Sequence, residues 1–328
     1  MYGGRSPTFG LRSQRPVRLG GAVMLSALVC ASAGSRTGAS PHPAPKDPAA
    51  FPAATELVLV TATVVDRAGN LVRDLPRTAF HVLDEKTPKE IQVFAQTADT
   101  AMQKQVAADL DVAVLVDTSM SMSHDLQRVA AATIQILDRI PRLQRRVLLS
   151  FGREIRSWDP NQPTEEVLAK MVDARRGGSG TDLHGALSAA AAALGLHGRR
   201  SAILLLSDGV DVGSPITEAD AIASLQRTGT AVYPITFDPN LDDTRVASEG
   251  VAALERFAVA TGGRVLDAAG RDIDDLLTKL VEEFSGQYVI GFEPTPSQKA
   301  RLRRLRLDVE GRDLKIRYRR FYAAPSSS

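Results

Sequence analysis

Residues 112–116, Val-Ala-Val-Leu-Val, form an unbroken apolar run bounded by Asp111 and Asp117. A strand that faces water on one side alternates apolar and polar residues. One apolar on both faces must be covered on both, which is the situation of a strand inside a parallel sheet. The segments downstream fit such a sheet. After 111–117 comes a helical segment, with Leu126, Val129, Ala130, Thr133, Ile134, Leu137 and Ile140 at 3.6-residue spacing. Strand 146–151, an edge strand at 154–158 close enough to be antiparallel, and a helix after Thr164 come next. Helix 183–194, strand 202–207, a helix near 218–227, strand 231–237, helix 251–260, strand 264–266 and helix 273–284 complete the series. Such alternation predicts a doubly wound α/β domain over about 108–285, a mostly parallel sheet with helices on both faces.

The flanks differ. Residues 57–65, 80–84 and 90–94 read as short strands, as do 287–292, 304–310 and 314–319, the last two strictly alternating about Gly311-Arg312-Asp313. Three strands are marginal alone, so segments 55–100 and 287–324 are expected to complete one β domain into which the α/β domain is inserted. The last two strands are expected to pair as a hairpin with their basic residues on one face. Segment 299–320 carries ten Lys and Arg against three acids, although the whole chain is only +2. The alternation favours a solvated basic face over packed Leu, Val and Ile, the sharper alternative being weak contact with an anionic surface. Without aromatic interleaving the pattern does not predict nucleic acid.

At the N-terminus, Arg5, Arg12, Arg15 and Arg18 precede an apolar or small-residue run over 19–33 ending Ala31-Ser32-Ala33. The run is shorter than the about 20 residues a spanning helix needs and has the form of a signal peptide over 1–33. Export to a periplasmic or extracellular location is expected, with retention as an N-terminal anchor as the alternative. Residues 34–54, rich in Ala, Pro and Ser, read as a tether. Cys30 is the one cysteine, so no intrachain disulfide and no Cys-based zinc site is available.

In open α/β sheets ligands bind beyond the carboxyl ends of the strands, and three loops there carry chemistry. They are Asp117-Thr118-Ser119-Met120-Ser121, Gly177-Gly178-Ser179-Gly180-Thr181-Asp182 before the Ala-rich helix, and Ser207-Asp208-Gly209. Taken singly, these residues read first as helix caps or turns. Caps do not require convergence, whereas a ligand shell does.

Together the loops resemble those of a von Willebrand factor type A domain, whose metal-ion-dependent adhesion site combines an Asp-x-Ser-x-Ser loop with a Thr and an Asp from two others. The resemblance implies Asp117, Ser119, Ser121, Thr181 and Asp208 as ligands, directly or through water. The flanking β segments are also similar, on looser motifs, to secreted bacterial proteins of the acidobacterial type that carry this domain. Hydroxyls and carboxylates are hard oxygen donors suited to Mg²⁺ or Mn²⁺. The implied role is a non-enzymatic, adhesion-type protein whose cation takes a carboxylate from a protein partner. Two other readings use the same domain: a metal-dependent hydrolase with His124 or His184 as base, and an adaptor of an ATPase complex. No Gly-x-x-x-x-Gly-Lys loop or Gly-x-Ser-x-Gly elbow supports chemistry elsewhere. Asp238, Asp242 and Asp243 are expected in a loop that adds negative potential at the same sheet edge.

Overall fold

In the computed structural model, the residues described are 57–97, 109–122, 126–140, 143–174, 180–195, 199–236, 244–295 and 301–324. The predicted leader and tether, the Ser123-His124-Asp125 helix start and the Asp238, Asp242 and Asp243 loop lie outside them.

The apolar run is the centre of the larger sheet. Strand β5 (Leu110–Asp117), buried throughout its length, is flanked by β6 (Leu143–Phe151) and β8 (Arg200–Leu206), both parallel to it. Parallel strands β9 (Thr230–Thr236) and β10 (Leu266–Asp267) extend one side, and antiparallel β7 (Ile155–Trp158) closes the other, giving the order β10-β9-β8-β5-β6-β7.

Among the described residues, six helices cover this sheet: α1 (Leu126–Gln135), α2 (Thr164–Ala174), α3 (Leu183–Leu194), α4 (Glu218–Thr228), α5 (Thr244–Thr261) and α6 (Ile273–Gly286). The period-2 pleat assigns alternate residues of each strand to opposite faces. Val112, Val114 and Val116 of β5 join a core with α1, α2 and α6. Ala113 and Leu115 join the opposite core with α3, α4 and α5. The doubly wound fold is therefore present. The structure adds two details: α1 tightens into a 3-10 turn at Ile136–Arg139, and α5 begins at Thr244, seven residues before the predicted start.

The flanking segments interleave in two four-stranded sheets. One has the order β13-β1-β11-β4, from Lys315–Tyr318, Val58–Val65, Tyr288–Phe292 and Ile91–Gln96. The other has the order β14-β12-β2-β3, from Phe321–Ala323, Leu302–Val309, Phe80–Asp84 and Thr87–Lys89. Both line a single core that includes Val60, Phe80, Tyr288, Ile290, Phe292, Leu305 and Tyr322.

The last strands do not form the expected hairpin. Strand β12 pairs with β2 and β14, whereas β13 pairs with β1, so residues 310–314 cross from one sheet to the other. The basic residues consequently share no single face. Arg303 pairs inside with Asp84 at 2.8 Å, and Arg317 with Glu283 at 2.7 Å. Arg319 donates to the carbonyls of Leu59 and Gln226. Among the described residues no helix is long and apolar enough to cross a membrane.

Candidate metal centre

The site lies where the sheet order reverses. The chain leaves β5 for β6 on one side and later enters β8 on the other, so a crevice opens beyond the carboxyl ends of β5 and β8. Asp117 is the last residue of β5, and Ser207 and Asp208 directly follow β8. Ser119 and Ser121 follow Asp117 on a loop pinned to the end of β6, where the Thr118 amide and hydroxyl both donate to the Phe151 carbonyl, at 2.7 and 2.9 Å.

Thr181 reaches the same place by two backbone links. The next residue, Asp182, donates its amide to the Gly152 carbonyl at 2.8 Å, just beyond β6, and Thr181 itself pairs with Val212 through two 2.9 Å bonds. Val212 belongs to the segment leaving Asp208. The loops that carry the five predicted ligands are thus tied to one another at one end of the sheet.

The caps divide informatively. Asp182 is the N-cap of α3, accepting from the Gly185 amide at 2.9 Å. Capping is therefore done by Asp182, and Thr181, also buried, is left to the site. Asp208 does make a turn, its Oδ1 accepting from the Val210 amide at 2.9 Å. Its Oδ2 is buried with no hydrogen-bond partner. An orphaned carboxylate oxygen costs free energy unless a cation or proton satisfies it.

Asp117 is fully buried and accepts from the Ser119 amide at 2.8 Å and from the Ser207 hydroxyl at 2.7 Å. Burial, and secondarily the neighbouring charge of Asp208, push its carboxyl up to about 7 despite those hydrogen bonds. Two carboxylates held close in a buried crevice resist joint ionisation. A divalent ion held by these carboxylates would relieve that conflict, and the hydroxyls of Ser119 and Ser121, 3.1 Å apart, would add neutral hard donors. The donor set fits Mg²⁺ or Mn²⁺. No group of three or more His, Cys, Asp or Glu able to hold a metal occurs among the described residues. A shell of two carboxylates and three hydroxyls is of a different kind.

Ser207 is the residue that sequence reasoning missed. Its hydroxyl donates to Asp117 and accepts from the Gly209 amide at 3.0 Å, tying the first loop to the third. It lies within the Ser-Asp-Gly motif, but only the strand pairing shows that it faces Asp117. Gly209 has φ +82°, and a Cβ there would collide with the Gly250 carbonyl, so glycine is required at this turn. His184, the candidate base of the hydrolase reading, has Nδ1 3.2 Å from the Ile216 carbonyl and its amide bonded to Ser214.

Residues 112–210 match the family model of the von Willebrand factor type A domain. Among solved structures, proximal thread matrix protein 1 of the mussel byssus is 16% identical with a TM-score of 0.41, over 54% of this chain and 48% of that one. This chain thus spans about half the length of the mussel protein. An aerotolerance-related membrane protein from Bacteroides fragilis is 14% identical with a TM-score of 0.40, over 53% of this chain and 98% of that one. The human COPII-coat protein Sec24c is 9% identical with a TM-score of 0.40, over 69% and 45%. No curated protein matches.

Proposed function

From the premise that residues 112–210 form a von Willebrand factor type A domain, we propose that this chain is an exported binding protein. Its adhesion-type site holds one Mg²⁺ or Mn²⁺ and recognises a carboxylate on a protein partner. The observation that carries the reading is the buried, partnerless Oδ2 of Asp208 in a crevice shared with the buried Asp117. Asp117, Ser119, Ser121, Thr181 and Asp208 would hold the ion, directly or through water. Two carboxylates balance a divalent charge, and neutral hydroxyls leave it able to accept one more anionic oxygen. The ion, when bound, supplies that acceptor position. The chain's part is to exclude water behind it and to orient the two carboxylates, which the Ser119 amide and Ser207 hydroxyl do for Asp117.

The test is calorimetric titration of Mg²⁺ and Mn²⁺ into the full chain and its Asp117→Ala variant, with circular dichroism as a check on folding. Saturable binding in the wild type and none in the folded variant is the expected result. Equal binding by both would remove the site from Asp117 and overturn the proposal.

A further inference from the structure

A cavity of about 460 Å³ opens at one edge of the β domain, and none of the candidate ion ligands lines it. Its origin is in the strand pairing. Strand β3 accompanies β2 only over Val82–Asp84, through Thr87–Lys89. The chain then leaves β2 and crosses to the other sheet, where Ile91 pairs with Phe292. Phe80 and His81 are left beyond the end of β3, and the cavity lies at that step. Phe80, Val82 and Ile91 give it a wall of core residues, each at most 5% exposed.

Basic side chains meet this apolar wall. Lys89 stands opposite Val82 in the ladder, so its side chain leaves the sheet on the face that bears Val82 and the core. A lysine so placed keeps its stem on apolar surface and its ammonium at the edge of the water. Arg77, in the 3-10 turn before β2, and His81 also line the cavity. Each has a surface acid beside it, Glu90 at 3.1 Å from Arg77 and Glu310 at 2.7 Å from His81. Those acids are 82% and 69% exposed, and such pairs contribute little, so an incoming anion can displace them at small cost.

A proline and an inward-facing lysine are ordinary means of keeping an edge strand from pairing with another chain. Edge protection accounts for Pro88 and Lys89. It also disfavours an added peptide strand, since β3 is three residues long and the Phe80 amide already donates to the Arg77 carbonyl. It does not account for a recess behind them that reaches the core. Apolar walls with a few polar groups, at this volume, are the make-up of a small-ligand site.

We infer that this cavity binds a small carboxylic acid with an apolar tail, of the class of a free medium-chain fatty acid. The tail covers Phe80, Val82 and Ile91, and the Arg77 fork and Lys89 ammonium take the carboxylate. Two positive charges beside an apolar wall match one anion on an apolar body better than a polyanion or a sugar. The site is independent of the proposed ion.

The probes are decanoate, decanol, acetate and decyltrimethylammonium at monomeric concentrations. Their binding to the full chain is read by ligand-observed NMR and calorimetry, in chelator and again in Mg²⁺. Decanoate should bind saturably and equally in both. Decanol should bind at least about tenfold more weakly, because it forfeits the charge-assisted hydrogen bonds. Acetate and the cationic amphiphile should show no binding. Arg77→Gln and Lys89→Gln should each weaken decanoate about tenfold. Thr78→Trp, at an exposed position lining the cavity, should block it. Circular dichroism checks that each variant is folded. No decanoate binding, equal binding of decanoate and decanol, or full affinity in both Gln variants overturns the proposal. Binding to phosphatidylglycerol vesicles with none to monomeric decanoate would make this face a membrane contact and overturn it as well. Decanoate binding that vanishes in chelator would put the acid at the ion site, and the cavity would then have no ligand.

Discussion

Arg317 on β13 donates a 2.7 Å hydrogen bond to Glu283 on α6, joining the last segment of the chain to the final helix of the parallel-sheet unit. The Glu283 carboxylate is 3% exposed and is fully engaged. Arg264 donates to its other oxygen at 2.7 Å, while the hydroxyls of Thr63 and Tyr233 approach at 3.3 Å. Gln287, the single residue between α6 and β11, donates to those same two hydroxyls at 3.2 and 3.0 Å. One buried polar network thus spans β1, β9, α6 and β13, with the Arg317 Nε already left without a hydrogen-bond partner, and such a network becomes costly when further members lose theirs.

Removing its centre should therefore be severe. Glu283→Ala leaves the guanidiniums of Arg264 and Arg317 without their carboxylate, a loss of about 3–5 kcal/mol for a broken buried pair. Unfolding by urea, followed by far-UV circular dichroism and by Trp158 fluorescence, should give one earlier transition common to both probes. Trp158 is on β7 and far from the network in sequence, so a shift confined to circular dichroism would show that the sandwich and the parallel sheet unfold separately.

Ser207→Ala deletes the 2.7 Å hydrogen bond that orients Asp117 without touching a candidate ligand. Outer-sphere partners of metal ligands typically contribute about 10–100-fold to metal affinity. Calorimetry should show Mg²⁺ binding weakened by roughly that factor, while the two hydrogen bonds lost with the hydroxyl cost about 1–3 kcal/mol of fold stability. Ser207→Thr, which keeps the hydroxyl, should restore affinity. A stability loss with no change in affinity would reduce Ser207 to a structural role.

Asp117 gives a pH signature in the ion-free protein. Burial raises its carboxyl from 3.8 to about 7, so the folded chain binds this proton more tightly than the unfolded chain. The group therefore favours folding most below pH 3.8, and its contribution is lost as pH rises through about 7. The shift corresponds to roughly 4 kcal/mol. In chelator, Asp117→Asn should be more stable than wild type at about pH 8, with the difference vanishing toward about pH 4. Thermal unfolding across that range reads the result. A variant less stable than wild type at every pH would refute the assigned strain.

Much of this was legible in the sequence because the governing signals are local. The Val112–Val116 run announces a strand covered on both faces, and the 3.6-residue spacing from Leu126 announces the helix that covers one of them. The five candidate ligands sit in loops whose positions follow once the parallel order is accepted. Pairing partners across sheets are not local. Residues 304–310 and 314–319 have every mark of a hairpin, yet burial of Leu305 and Leu307 in one sheet and the pairing of Ile316 with Val64 in the other send them apart. Alternation reports which face is buried, and it is silent about which strand lies alongside. The same blindness hid Ser207, whose meaning comes from β8 lying next to β5. It also hid Arg303 and Arg317, which composition alone presents as surface charge.

Asp84 supplies the opposite pH dependence to Asp117. Its side chain is fully buried and accepts from Arg303 and Tyr322 at 2.8 Å and from the Thr295 amide at 2.9 Å. Burial alone would raise its carboxyl, but donation by Thr295, Tyr322 and Arg303 outweighs burial and holds it below 3.8. A depressed carboxyl stabilises the fold at pH above its unfolded value and loses that contribution as pH falls through the lower folded value. Asp84→Asn should therefore cost about 3–5 kcal/mol at neutral pH, since it leaves the Arg303 guanidinium, 8% exposed, without a counter-charge. The gap between wild type and variant should close as pH drops below 3.8, because the wild type then takes up the proton that the amide mimics. Urea midpoints of both proteins at neutral pH and in acid measure it. A gap of constant size across that range would mean that Asp84 acts by shape and packing and not through its charge.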